Sequence, residues 1–170
     1  METREVDPIA EAHQQWRLHG WTGEADAMAM VTSLVRAHQL ITEDVAEVLK
    51  PLDLTFARFE VLRLLAFTKS GSLSMTRLGS LLQVHPTSVT SAVDRLVVQG
   101  FVERLRREQD RRVVLAAITE SGREVVEQAT LGLNQQVFAG PGLTEREVRS
   151  LTRLLGRLRA EHGDLVKPLR

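Results

Sequence analysis

The sequence predicts a mainly α-helical protein with a small β-wing. In two short segments, 75–82 and 86–99, apolar residues recur at the spacing of an α-helix, and a break at Val84 and His85 separates the segments. Two extended segments joined by an arginine-rich connection follow them, and long amphipathic helical patterns precede and follow this central part. Together these patterns predict a winged helix-turn-helix flanked by N- and C-terminal dimerisation helices.

A length of 170 residues suits one domain with a sizeable core and is short for two. We expect an N-terminal extension over residues 1–23 and a single domain over 24–170. Within that domain, 55–119 would form the DNA-binding core, and 24–50 and 120–162 would form the dimerisation helices.

The N-terminal extension has helical spacing over 10–19 and a break over 20–23. Trp16 and Trp21 are the only tryptophans of the chain. The simplest interpretation is that they pack this arm onto the body of the protein.

A long helix is predicted from about Glu24 to Leu49, because apolar residues recur in steps of three and four until Pro51 stops the helix. Its stripe comprises Ala27, Val31, Leu34, His38, Ile41, Val45 and Val48. His38 interrupts the stripe, either as a hydrogen-bonded core or interface residue or as a ligand- or pH-sensing one.

The next helix begins after Thr55, whose hydroxyl can cap the first turn. A turn follows at Lys69 to Ser72. We expect Leu73 to add a short third strand beside the wing.

The second short helix opens at Pro86, where a proline loses no hydrogen bond, and ends at Gly100, which suits a left-handed cap. Val89, Val93, Leu96 and Val97 would face inward. The opposite face would carry Thr87, Ser88, Thr90, Ser91, Asp94 and Arg95. Small hydroxyl donors near a helix N-terminus let it enter a DNA major groove.

The wing is predicted as a strand over 101–106, a tip over 107–112 and a return strand over 113–118. An arginine at such a tip is attracted to the negative potential of a narrow minor groove. Asp110 is expected to orient an arginine rather than to contact DNA, because phosphates repel a carboxylate.

Two more helices are predicted after Thr119, one to about Phe138 and one from Thr144, which forms a capping box with Glu147, to about His162. Gly140 to Gly142 form the loop between them. The small core over 55–119, called the reading head below, buries little area, so these amphipathic helices need another surface. Pairing across a two-fold axis would supply it and would place two recognition helices about 34 Å apart.

Composition excludes several classes of protein. There is no cysteine, hence no thiol-based redox switch, and no apolar run long enough to cross a membrane, so we expect a cytoplasmic protein. No catalytic motif, phosphate-binding loop or metal-ligand spacing occurs, so neither an enzyme nor a cofactor is expected.

The formal net charge is zero, but charge is segregated along the chain. Residues 55–119 hold ten basic and five acidic side chains, and the remainder holds 12 and 17. A basic centre with acidic flanks suits a protein that presents one face to DNA.

Three runs resemble the MarR family of winged-helix transcriptional regulators: LTFARFEVLRLL (54–65), VHPTSVTSAVDRLVVQGFVER (84–104), and DRR (110–112) with AITESG (117–122). The resemblance implies a homodimer on double-stranded DNA that binds a pseudo-palindromic operator and acts as a repressor that a small ligand relieves. The DNA contacts that it implies are Thr87, Ser88, Thr90, Ser91 and Arg95 in the recognition helix and Asp110, Arg111 and Arg112 in the wing.

Within the family, the resemblance extends to the branch that senses urate and related anions. It implies an anionic or phenolic effector that contacts Trp16, Glu60 and Arg95, and His38 is a further candidate. Glu60 departs from the aspartate usual in that branch. Alternatively, Arg95 only contacts phosphate or pairs with Asp94 or Glu60. Two further functions stay open: an architectural DNA-binding protein without an effector, and a winged helix that binds other proteins.

Overall fold

The computed structural model describes residues 6–107 and 110–168. It contains these helices and strands in chain order: α1 (Pro8–Leu18), α2 (Ala25–Leu49), α3 (Phe56–Ala66), β1 (Ser72–Ser74), α4 (Met75–Leu82), α5 (Pro86–Val98), β2 (Val102–Arg107), β3 (Asp110–Ile118), α6 (Glu120–Leu133) and α7 (Glu145–Glu161). The fold is mainly helical with one small antiparallel sheet, which confirms the predicted class. None of the helices described here is long and apolar enough to cross a membrane.

The sheet has the strand order β1-β3-β2, so the return strand of the wing lies in the middle. Leu73 pairs with Ala116, which confirms the predicted third strand. The first strand of the wing lies one residue later than predicted, since β2 ends at Arg107, and the return strand is longer than predicted, since β3 begins at Asp110. The expected tip over 107–112 is therefore partly strand, and residues 108–109 lie outside the described part of the chain.

The core lies between α3, α5, the sheet and α6. Its fully buried side chains include Leu62, Leu65, Leu78, Leu96 and Val126. Gly122, in the first turn of α6, is indispensable here: a Cβ at this position would lie 2.2 Å from the carbonyl oxygen of Phe101. This close approach seats α6 against the end of α5.

Arg63 on α3 forms hydrogen bonds with three residues of α6. Its guanidinium donates to Glu127 Oε1 (2.9 Å), to the carbonyl oxygen of Val126 (3.0 Å) and to Thr130 Oγ1 (2.6 Å). These bonds join α3 to α6 and fix the position of the one helix against the other.

Apolar stripes on the long helices are only partly covered within one chain. In α2, Val45 and Leu49 are buried, but Val31, Leu34 and Ile41 are exposed. Helix α7 has no buried residue, although it carries the predicted stripe. The expected inward position of Val97 in α5 is also wrong, since its side chain is 37% exposed.

Candidate nucleic-acid interface

The turn between α4 and α5 fixes the angle of the helix-turn-helix. Gln83 ends α4 in the left-handed conformation (φ 55°). His85 caps α5, because its Nδ1 accepts from the backbone N–H of Thr87 (3.3 Å), and Pro86 occupies the first turn. The sequence indicated the break and the proline, whereas the capping role of His85 was not foreseen.

Helix α5 has one buried face and one exposed polar face. Val89, Val93 and Leu96 are at most 1% exposed and anchor the helix in the core. The opposite face presents Thr87, Ser88, Thr90, Ser91, Asp94 and Arg95 to solvent. This face can enter a groove without disturbing the core.

The hydroxyl groups of this face differ in their availability. Thr90 Oγ1 donates to the carbonyl oxygen of Pro86 (3.0 Å), and Thr87 Oγ1 lies 3.0 Å from Nδ1 of His85. Ser88 and Ser91 make no side-chain hydrogen bond to the described residues. Their protons are therefore free for phosphate or base acceptors.

An ion pair joins the recognition helix to the wing. Asp94 Oδ1 lies 2.7 Å from Nη2 of Arg104 in β2. The alternative in which Arg95 pairs with Asp94 or Glu60 is not what the structure shows, since the carboxylate of Asp94 faces the wing. Arg104 was missed from the sequence, because the sheet register that places it opposite the buried Ala116 is a long-range property.

The wing itself is a two-stranded antiparallel hairpin. Its register runs from Val102 opposite Ile118 to Arg106 opposite Val114, with an irregularity after Arg106. Asp110, Arg111 and Arg112 belong to β3. Their side chains lie outside the described part of the structure, so their predicted contacts stay predictions.

A cleft of about 520 Å³ lies between the start of α3 and the exposed face of α5. It is lined by Thr55, Ala57, Arg58, Thr87, Ser88, Ser91, Ala92 and Arg95. Arg58 is held in place by a 2.9 Å hydrogen bond to Gln99 Oε1. Arg95 makes no ion pair with the described residues. Two guanidinium groups among hydroxyls can bind an anion.

The structure does not bring the predicted effector residues together within one chain. Glu60 is half-buried on α3, and this burial raises the pKa of its carboxyl above the usual range. Trp16 lines a separate cavity that shares no residue with the cleft at Arg95. His38 is exposed on α2, within the stripe that is uncovered in a single chain.

An exposed recognition helix on a buried core, with an antiparallel wing beside it, defines a winged helix-turn-helix DNA-binding protein. Comparison with known proteins identifies its family. The family model of MarR matches residues 54–114. The multiple antibiotic resistance protein MarR of Escherichia coli is 35% identical over 111 residues, which cover 64% of this chain and 76% of that protein.

Solved structures agree with this assignment. The crystal structure of Sco5413, a MarR family transcriptional regulator from Streptomyces coelicolor, has 44% sequence identity and a TM-score of 0.73, covering 84% of this chain and 99% of that one. The C80S mutant of E. coli MarR complexed with operator DNA has 29% identity and a TM-score of 0.70, covering 79% and 96%. The chain belongs to the MarR family. It is a DNA-binding transcriptional regulator and not an enzyme.

Proposed function

We propose that this regulator is a homodimeric repressor that binds a pseudo-palindromic operator and is released by a small anionic or phenolic ligand. The main observation behind this proposal is the exposed polar face of α5. Three buried residues anchor the helix in the core, and the opposite face presents hydroxyl and guanidinium groups that have no partner among the described residues. Its location would be cytoplasmic, where such a regulator meets its operator.

In this proposal α5 lies in the major groove. Ser88, Ser91 and Arg95 donate to bases or phosphates, because their donors have no partner among the described residues. Thr87 and Thr90 contact DNA through groups already held by His85 and Pro86. At the wing, Arg111 and Arg112 contact the adjacent minor groove. Asp110 orients an arginine there.

The second copy would cover the apolar surface that one chain leaves open. Leu151, Leu154 and Leu158 on α7 are 36–50% exposed, and Leu34 and Ile41 on α2 are 37% and 55% exposed. Leucine and isoleucine stripes of this kind gain roughly 25 cal/mol for each Å² buried. A two-fold axis through them makes the dimer symmetric, as a pseudo-palindrome requires.

The cleft between Arg58 and Arg95 supports the anionic effector. A carboxylate held there would occupy Ser88, Ser91 and Arg95, which are the donors proposed for DNA. Binding of the two ligands would therefore be mutually exclusive, and the effector would weaken DNA binding. Trp16, His38 and Glu60 would join an effector site only in the assembled dimer.

The test is a fluorescence-anisotropy titration of the protein against intergenic DNA beside its own gene, at physiological salt with excess competitor DNA. We expect nanomolar binding that survives the competitor. Arg95→Gln should weaken it about tenfold, whereas the matched control Arg153→Gln on α7 should not. Binding that the competitor abolishes would instead favour the architectural function, and no binding to any DNA would favour protein recognition.

The effector is tested on the same complex with benzoate, urate and the uncharged isostere benzamide. Benzoate or urate should release DNA in a saturable way, and benzamide should not. Equal effects of benzoate and benzamide would contradict the anionic assignment. Retention of DNA at saturating concentrations of every compound would contradict effector control by this class of ligand.

A further inference from the structure

A second cavity, of about 550 Å³, lies where the end of α1 meets the first half of α2. Trp16 and Trp21 form one wall, and Ala27, Met28 and Val31 supply apolar surface. The volume is within the range of sites that hold a small organic molecule, which are mostly apolar with a few polar groups. The repressor mechanism proposed above gives Trp16 a role only in the assembled dimer, so the cavity within one chain has no ligand assigned to it.

The C-terminal cap of α1 places Trp21 beside Trp16, and the two side chains form one wall of the cavity. Gly20 has φ +89°, and its N–H donates to the carbonyl oxygen of Arg17 (3.1 Å). The N–H of Trp21 donates to the carbonyl oxygen of Trp16 (3.0 Å). This pair of bonds is a Schellman motif, which brings the residue after the glycine onto the last turn of the helix. The two indole rings meet at a tilted angle of 57°, with centroids 5.0 Å apart.

Two further contacts hold the wall in position. The ring of His19 stacks on Trp21 at 5.9 Å, and its Nδ1 donates to the carbonyl oxygen of Gln15 (2.8 Å). His13 Nε2 lies 2.8 Å from Asp26 Oδ1 and ties α1 to α2. Trp21 is nevertheless 51% exposed, so an indole face stays open to a ligand.

The charge of the lining decides which ligand fits. Glu24 is the charged residue of the lining, and it makes no ion pair or side-chain hydrogen bond with the described residues. No basic side chain lines this cavity. Indole faces attract cations through their quadrupole, and aromatic sites beside a carboxylate suit organic cations. An anion would meet the repulsion of Glu24 without a compensating donor.

We propose that the cavity formed by Trp16, Trp21 and Glu24 is a binding site for a lipophilic organic cation. The indole faces contact the cation, Ala27, Met28 and Val31 contact its apolar groups, and Glu24 balances its charge. This site is separate from the anion cleft at Arg95. Its occupation does not depend on the proposed repressor mechanism.

The probe is tetraphenylphosphonium, and tetraphenylborate is an anion of nearly the same shape. Both are titrated into the full-length protein while tryptophan emission is recorded. The only two tryptophans of the chain line the cavity, so their emission reports on this site alone. Acidic side chains outnumber basic ones outside residues 55–119 and attract a cation without a site. A difference between the ions is therefore assigned to the cavity only where it is saturable and is reduced by Glu24→Gln but not by Glu11→Gln. We expect saturable quenching by the cation at concentrations at least tenfold below those that the anion requires.

Glu24→Gln should weaken binding of the cation about fivefold, as expected for one exposed charge. Glu11→Gln is the matched control, because it removes the same charge from the same arm outside the cavity. Equal quenching by both ions, or an unchanged affinity in Glu24→Gln, would overturn the assignment to cations. Absence of saturable quenching by either ion would overturn the site itself.

Discussion

Asp94 shows how one carboxylate within a DNA-binding face can assist binding. It lies on the exposed face of α5, where by charge alone it repels phosphate. Its 2.7 Å contact with Arg104 instead holds the wing against the recognition helix. Both side chains are about half-exposed, so the pair contributes at most about 1 kcal/mol to folding. Its main effect is on orientation.

Asp94→Asn distinguishes repulsion of phosphate from orientation of the wing, because the two effects predict changes of opposite sign in DNA affinity. If Asp94 acted only through its charge, removing that charge would strengthen DNA binding. We expect the opposite, a loss of about three- to tenfold, because the wing loses its fixed position. Anisotropy titration measures this change, with urea unfolding as the check that stability is retained. The control Glu145→Gln breaks the exposed pair with Arg149 and should change neither quantity.

Apart from Val97, residue types and spacing predicted which side chains are exposed on α5, but they did not predict pairing. A carboxylate has several arginines within reach along the sequence, and only the sheet register selects Arg104 over Arg95. The cavity at Trp16 is a similar case. The contact between Trp16 and Trp21 follows from the turn at Gly20. The separation of Trp16 from the cleft at Arg95 depends instead on tertiary packing.

At the scale of elements, the local sequence predicted where helices begin when a side chain caps the first turn. Thr55, Thr119 and Thr144 each accept a backbone N–H at the start of a helix. The strands were less predictable, since Arg107 and Asp110 pair despite a polar sequence. Hydrogen bonding to a neighbouring strand is a long-range property that side-chain alternation does not encode at the end of a hairpin.

The capping box of α7 predicts a pH-dependent helix start. Glu147 accepts from Thr144 Oγ1 (2.6 Å) and from the backbone N–H of Thr144 (2.8 Å). The Thr144 hydroxyl, followed by the backbone N–H, lowers the pKa of Glu147 below its usual value of 4.5. A lowered carboxyl pKa stabilises the folded state above pH 4.5, and this contribution is lost as the pH falls through the folded value.

Thr144→Val should therefore reduce amide protection in the first turn of α7 at neutral pH and weaken its dependence on pH below 4.5. Hydrogen exchange with correction for intrinsic rates measures both effects. Thr152→Val is the control, because it removes a hydroxyl whose one hydrogen bond to the described residues is with the carbonyl oxygen of Val148 inside the same helix. Equal protection in Thr144→Val and the parent protein would mean that other contacts hold the start of α7.

At the scale of the whole molecule, the proposed dimer would use helices near both ends of the chain, outside the winged helix-turn-helix. Helix α7 contributes no buried residue within one chain, yet its leucines line up on one face. The sequence predicted this stripe and its need for a partner. It could not predict how α7 is placed, which includes a 2.8 Å hydrogen bond from Arg159 to Gln83 in the turn of the helix-turn-helix.

The proposed dimer predicts that polar substitution on α7 acts on DNA binding from a distance. Leu151→Gln with Leu154→Gln places amides where the second copy would pack, and burying them without partners is unfavourable. We expect a shift from dimer to monomer at micromolar concentration in sedimentation experiments. DNA affinity should fall about a hundredfold, because two half-sites are no longer bound together. Ser150→Gln with Thr152→Gln introduces the same amides beside the stripe and should leave both properties intact. A leucine variant that stays dimeric would instead assign dimerisation to α2 and leave α7 free for another partner.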